Sequence, residues 1–208
     1  MKVGTKSVLF GAHCFFIHPL FVFIAWWKLF GFPYDIRLWV AFFVHDLGYW
    51  GKPNMDGKEG ETHVELGAKI MHALFDWKFL NTFYDLDTGK PIKVYYSVWG
   101  NFSLYHSRFY AKKDDANYSK LCVADKYSIC LEPYWLYLPR VILSGEIKEY
   151  MRRSGEKSKF KGEPINKYEH MKLCTETKRG WFYAMTSYLC RWVNEHKDMK
   201  EDKWTPEQ

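Results

Sequence analysis

The sequence predicts an all-α fold, a helical bundle with additional helices at its C-terminal end, and three observations carry that expectation. Apolar residues recur three and four positions apart, as in Trp181, Met185, Tyr188, Leu189 and Trp192, which is the period of a helix face. Helix-start residues and helix breakers bracket such runs, with Pro19, Asp35, Thr62 and Ser119 at candidate starts and Gly31 and Gly48 at candidate ends. No stretch alternates polar and apolar residues as a half-buried strand does. At 208 residues the chain suits a single domain, 1–208.

Ser7 to Phe16 has helical character, and His18-Pro19 restarts a helix, because proline is tolerated in a first turn whose N–H groups are unpaired anyway. That helix runs to about Phe30 and stops at Gly31, with Pro33 beyond it. Asp35 caps a third helix over Ile36 to Leu47, apolar almost all round as a central element is. His45 and Asp46 fall in its last turn, and Gly48 lets the backbone turn away. Gly51 to Gly57 is a loop by its turn chemistry. Thr62 and Glu65 form a capping box for a fourth helix that reaches about Phe75, with His63 in its first turn.

From Trp77 the period is lost, and Asp85 to Lys90 reads as a turn ahead of a helix over Pro91 to about Gly100. His106 sits within Leu104 to Arg108, on a further helix or its end. Ser119 or Tyr118 starts a stronger helix, where Leu121, Cys122, Asp125, Ile129 and Cys130 recur at spacings of three and four. That places Asp125 on an apolar face, where a carboxylate is seldom left without a partner. Helices over Pro133 to Leu143, Ile147 to Arg153 and Lys178 to Lys197 follow, with a Lys, Gly and Ser-rich linker from Ser154 to Gly162.

Apolar residues make up 48% and aromatics 20% of the chain, which suits a packed globule. The net charge of +6 favours anionic ligands in general and does not select nucleic acid over nucleotides or a membrane surface. Five cysteines without a Cys-x-x-Cys pair indicate neither a disulfide framework nor a thiolate zinc site, so a cytoplasmic setting is the expectation. The apolar run from Ser7 to Trp27 is interrupted by His13, His18 and Pro19 and reads as buried helices, not a membrane span.

His45 beside Asp46 offers a divalent cation an imidazole nitrogen and carboxylate oxygens from adjacent positions. His18, His63, His106 and Asp125 stand in similar apolar or glycine-flanked settings along the chain. Imidazole-rich sites with a few carboxylates suit iron, manganese, cobalt, nickel or zinc better than magnesium or calcium. Lys52, Arg108, Lys112, Lys126 and Arg140 lie near these residues in sequence and are candidates to bind phosphate. Asp56, Glu59 and Glu61 are candidates for a proton donor or an orienting carboxylate. Tyr49, Trp50, Tyr105 and Tyr110 are candidates to stack a base.

Three motifs carry a resemblance: His18-Pro19-Leu20-Phe21-Val22 at a helix start, Phe43-Val44-His45-Asp46-Leu47-Gly48 closing a hydrophobic helix, and Lys120-Leu121-Cys122-Val123-Ala124-Asp125-Lys126 on a later one. In this order, with His63 and His106 between, they resemble the HD-domain superfamily of metal-dependent phosphohydrolases in its longer form. Tyr105-His106 ahead of Ala124-Asp125-Lys126 is similar to small bacterial hydrolases of diadenosine tetraphosphate. The resemblance covers a motif core of about residues 18–130 and leaves 131–208 as a C-terminal helical extension. The long segment between His63 and His106 and the acidic loop from Asp56 to Glu61 depart from the pattern.

The resemblance implies that His18, His45, Asp46 and Asp125 hold one metal ion, and that Asp46 bridges to a second held by His63 and His106. His13 is the rival of His18 for the first position. The expected activity is hydrolysis of a nucleotide phosphoester or phosphoanhydride by metal-activated water, with Asp46, Lys52, Glu61, Arg108 and Lys126 in catalytic or phosphate-binding roles. The expected partner is a small nucleotide-like substrate, with no stable nucleic-acid complex and no membrane. Two alternatives remain open: a di-iron oxygenase of the same superfamily acting on a small polyol or phosphonate, and an inactive relative that binds nucleotide.

Overall fold

A computed structural model describes residues 1–55, 57–76, 80–84, 91–95, 97–158 and 176–203. Helices form its body: α1 (Val3–Phe10), α2 (His18–Phe30), α3 (Ile36–Val44), the single turn α4 (Lys58–Glu61) and α5 (Val64–Phe75) in the first part. After a two-stranded hairpin of β1 (Leu80–Tyr84) and β2 (Pro91–Tyr95) come α6 (Val98–Leu104), α7 (Arg108–Lys113), α8 (Lys120–Leu131), α9 (Tyr134–Ser144), α10 (Glu146–Ser158) and α11 (Lys178–His196). The all-α class stands, and no helix among the described residues is long and apolar enough to cross a membrane.

α8 is the axis of the packing. Leu121 and Ala124 face α2, α3 and α5, where Val22, Ala25, Trp26, Ala41, Phe42 and Met71 make one apolar cluster. Cys122 and Val123 face the other way, into a cluster built with Tyr137, Val141 and the α11 stripe of Trp181, Met185, Tyr188, Leu189 and Trp192. Small side chains on both flanks let α2 and α11 approach α8 closely, and each large side chain buried there contributes about 1.5–3 kcal/mol. A helix covered on both sides is where a carboxylate such as Asp125 is costly unless partnered.

Several local expectations hold. Asp35 caps α3 by accepting the Arg37 N–H, Ser119 caps α8 through the Cys122 N–H, and α2 starts at His18 with Pro19 in its first turn. Others need correction. The first helix is Val3–Phe10, because Gly11 ends it and the Ala12 N–H leaves the helix to bond Glu146 Oε1 at 3.1 Å. The capping box at Thr62 does not form: Thr62 Oγ1 donates to the Glu59 carbonyl at the end of α4, and α5 begins at Val64 without a side-chain cap.

The helix expected from Pro91 to Gly100 is instead strand β2, paired antiparallel with β1 in the register Leu80–Tyr95 to Tyr84–Pro91, followed by α6. Ile92, Val94 and Tyr95 are strand formers, and Pro91 takes the first strand position, where its missing N–H costs least. The turn expected over Asp85 to Lys90 lies outside the described residues, as does the end of the expected linker beyond Ser158. The start of that linker, from Ser154, belongs to α10.

Candidate metal centre

Five separate segments bring their imidazoles and acids together. His18 comes from the first turn of α2. α3 ends at Val44, short of the expected Leu47, so His45 is its C-cap and Asp46 stands in the turn beyond, ahead of a single 3-10 turn over Leu47–Tyr49. His63 stands at the N-cap of α5, His106 in the turn between α6 and α7, and Asp125 in the middle of α8. All six are at least nine-tenths buried. Two glycines permit the close approach of these segments. A Cβ on Gly48 would lie 1.8 Å from the His63 carbonyl oxygen, and one on Gly67 would lie 2.8 Å from that of Val44.

The six side chains form two groups that share Asp46. His18, His45, Asp46 and Asp125 bring one ligand atom each to within 4.8 Å of one another, and so do Asp46, His63 and His106. Asp46 Oδ2 stands 3.0 Å from His45 Nε2 and 3.2 Å from His18 Nε2. Its Oδ1 stands 3.4 Å from His106 Nε2 and 3.6 Å from His63 Nε2. Asp125 Oδ1 completes the first group at 3.1 Å from His18 Nε2. Such buried groups could hold metal ions.

Backbone carbonyls fix how the rings present themselves. The Nδ1 atoms of His45, His63 and His106 face the carbonyl oxygens of Phe42, Gly60 and Ser103, each three residues upstream. A carbonyl only accepts, so each Nδ1 carries a hydrogen and each Nε2 is turned to the centre, where a neutral ring presents its lone pair. His63 Nε2 and His106 Nε2 then face each other at 3.3 Å with no hydrogen to share between neutral rings. Asp46 Oδ2, although buried and close to two imidazoles, lacks any aligned hydrogen-bond donor. Facing lone pairs and an orphaned carboxylate oxygen are what a cation would satisfy.

Electrostatics divide the site. Burial works against ionisation of Asp46, but the fields of His45 and His13 and contacts with His106 and His18 outweigh it and hold the carboxyl well below its ordinary range. Burial likewise opposes a charged His45, yet the Asp46 field and contact with Asp125 push it up to about 10. In the other group burial dominates and keeps His63 well below the ordinary imidazole range. A cation entering the first group therefore competes with protons, and one entering the second meets a neutral His63.

Around this centre the expected anion-binding residues separate. Lys126 Nζ lies 2.6 Å from Asp125 Oδ2, so Asp125 spends one oxygen on the cluster and the other on the ammonium. Lys52 donates to Thr62 Oγ1, next to His63, and Glu61 stands half-buried at the end of α4. Arg108 is turned to α11, where it donates to Tyr188 Oη at 3.1 Å and lies 5.0 Å from the Trp192 ring centroid. Arg140 ties Glu132 to the Gly11 carbonyl, and Lys112 lies beside Asp115 in a separate pocket. Glu59 is exposed and pairs with Asn54, while Asp56 lies outside the described residues.

Three of the four aromatic candidates are engaged by side chains of the chain itself. Tyr49 stacks on His63 with ring centroids 3.9 Å apart, Tyr110 donates to Glu65 at 2.8 Å, and Tyr105 leans on Asp114. Trp50 is exposed. His13 is not a member of either group. Its Nδ1 pairs with Ser7 Oγ at 2.8 Å, and its ring contacts Tyr49, so it lines the pocket behind His18 without joining the ligand atoms. Sequence reasoning missed Tyr49 as the plate that fixes the His63 ring, and missed the carbonyls of Phe42, Gly60 and Ser103. The histidine-minus-three spacing that each carbonyl shares was the available signal. No family model, curated protein or solved structure matches the chain.

Proposed function

We propose that the chain is an HD-type metal-dependent phosphohydrolase, which cleaves a phosphoester or phosphoanhydride of a small nucleotide-like substrate. The observation that carries this reading is Asp46, whose two oxygens are divided between two sets of imidazole nitrogens while Oδ2 finds no hydrogen-bond donor. That is the arrangement expected of a carboxylate that bridges two cations. His18, His45, Asp46 and Asp125 would hold one, and Asp46, His63 and His106 the other. Four imidazoles and two carboxylates suit iron, manganese, cobalt, nickel or zinc. A pair of such cations lowers the pKa of a shared water toward neutrality and neutralises a phosphoryl oxygen.

The chain's own residues supply the rest. The Phe42, Gly60 and Ser103 carbonyls hold three rings in one orientation, so the ligand set is preorganised before any ion arrives. Lys126 keeps Asp125 aimed at the cluster and adds a fixed positive charge beside it. Lys52, held against Thr62, places a second ammonium near His63 for the substrate anion, and Glu61 in the same turn is the carboxyl assigned to the leaving-group proton. Arg108 has no part in this assignment, because its guanidinium is committed to α11.

The test is an anaerobic screen of nucleotides, cyclic nucleotides and dinucleoside polyphosphates against protein loaded with manganese or iron. Release of phosphate or of a nucleotide product that stops on chelation supports the proposal. Oxygen consumption in a parallel aerobic assay, with no hydrolysis in the anaerobic one, would assign the same ligands to an oxygenase. Binding without turnover at any metal loading would assign them to a nucleotide sensor.

A further inference from the structure

The outer faces of α2 and α3 carry an apolar surface that none of the described residues covers. Leu20, Ile24 and Trp27 project from α2 at spacings of four and three, and Phe32, Tyr34 and Ile36 continue the surface through the turn into α3. Their exposures run from 36% at Ile24 to 90% at Tyr34. Ring contacts join its aromatic part: Trp27 and Phe32 centroids are 5.7 Å apart and Phe32 and Tyr34 centroids 5.0 Å apart. Beneath them Phe23 stacks on Trp39 at 4.7 Å, so the exposed rings rest on a rigid base.

At ordinary side-chain areas these six residues leave about 700 Å² of apolar surface exposed, above the roughly 300–600 Å² of the largest patch on a typical monomer. About 800 Å² per partner is what a stable protein interface of standard size buries. We infer that this face is the contact between two copies of the chain, with α2 packed antiparallel on α2 of the second copy. A 4-3 stripe is the seam along which two helices interlock, and a two-fold axis across it makes one surface complementary to itself.

Charge selects this occupant over a lipid surface. Between His18 and Arg37 the charged side chains are Lys28 and the Asp35–Arg37 ion pair, whose atoms lie 2.7 Å apart. Membrane-surface helices flank their apolar face with many lysines and arginines, and this one does not. A second copy meets no repelling cluster there. The interface would also brace the metal centre from outside, since α2 begins with His18 and α3 ends beside His45.

The test is the mass of the full chain by size-exclusion chromatography with light scattering, at concentrations from about 1 to 100 μM, the range in which interfaces of this size begin to hold. The wild type is expected at twice its 24.9 kDa chain mass. Tyr34→Lys with Ile36→Lys, both on exposed positions, is expected to weaken the dimer by roughly 30-fold or more, with unchanged far-UV circular dichroism. Leu20→Lys should act in the same direction from the other end of the stripe. A wild type that remains at the chain mass throughout overturns the inference whether or not the variants fold. So does a dimer untouched by either variant, or a monomer that floats with anionic phospholipid vesicles.

Discussion

Replacing Asp46 with asparagine isolates the shared carboxylate charge with little change of shape. The structure places Oδ2 at 3.0 and 3.2 Å from one pair of imidazole nitrogens and Oδ1 at 3.4 and 3.6 Å from the other, so each of the two proposed cations would lose the same ligand charge. At an effective dielectric of 20, a charge pair about 4 Å apart is worth about 4 kcal/mol, or about a thousandfold in affinity. With metal at about a thousand times the wild-type Kd, binding at each site stabilises the fold by about 4 kcal/mol, a rise in Tm of roughly 8–16 °C per site for a chain of this size. In Asp46→Asn the same concentration only equals the weakened Kd. The stabilisation then falls to about 0.4 kcal/mol per site and the rise to about 1 °C per site. The assay is differential scanning fluorimetry of chelator-stripped protein with and without manganese or zinc. An Asp46→Asn variant that keeps the wild-type rise would refute the bridging role.

Three further outcomes follow from the same geometry. His106→Ala should lose the cation shared by Asp46 and His63 but keep the other, so metal content by mass spectrometry falls by about half; complete loss or no loss would contradict the division into two groups. Gly48→Ala should cost about 1–3 kcal/mol or more, because the added Cβ would lie 1.8 Å from the His63 carbonyl, and an unchanged melting temperature would contradict that close approach. Burial pushes the Glu146 carboxyl above its ordinary 4.5, so the folded chain holds this proton more tightly than the unfolded one. The stabilisation is present below 4.5 and lost as pH rises through the raised value. Glu146→Gln should therefore gain stability relative to the wild type as pH increases from about 4 to 8, and a constant difference in Tm would contradict the assignment.

How much of this was legible in the sequence depended on how local the signal was. His18 announced its position through Pro19, and Asp125 through the helical spacing of its apolar neighbours, because both depend on contacts within one or two turns. The ends of α1 and α5 did not, since each is decided by a distant partner: Glu146 takes the Ala12 N–H from a position 134 residues away, and α4 takes the Thr62 hydroxyl. The hairpin was missed because Pro91 reads as a helix start as readily as a first strand residue. Arg108 stands two residues from His106 and so looked like a phosphate ligand, yet the aromatic face of α11 draws its guanidinium away. Lys126, adjacent to Asp125, stayed with the cluster because an ammonium on a buried helix needs that carboxylate.

The most direct test of the shared-carboxylate centre is anomalous diffraction from crystals of the chain grown with manganese or zinc. Two peaks about 3.5–4 Å apart are expected, one touching His18, His45 and Asp125, the other His63 and His106, with Asp46 touching both. Full occupancy at some other place on the protein, with these six side chains left without density between them, would contradict it.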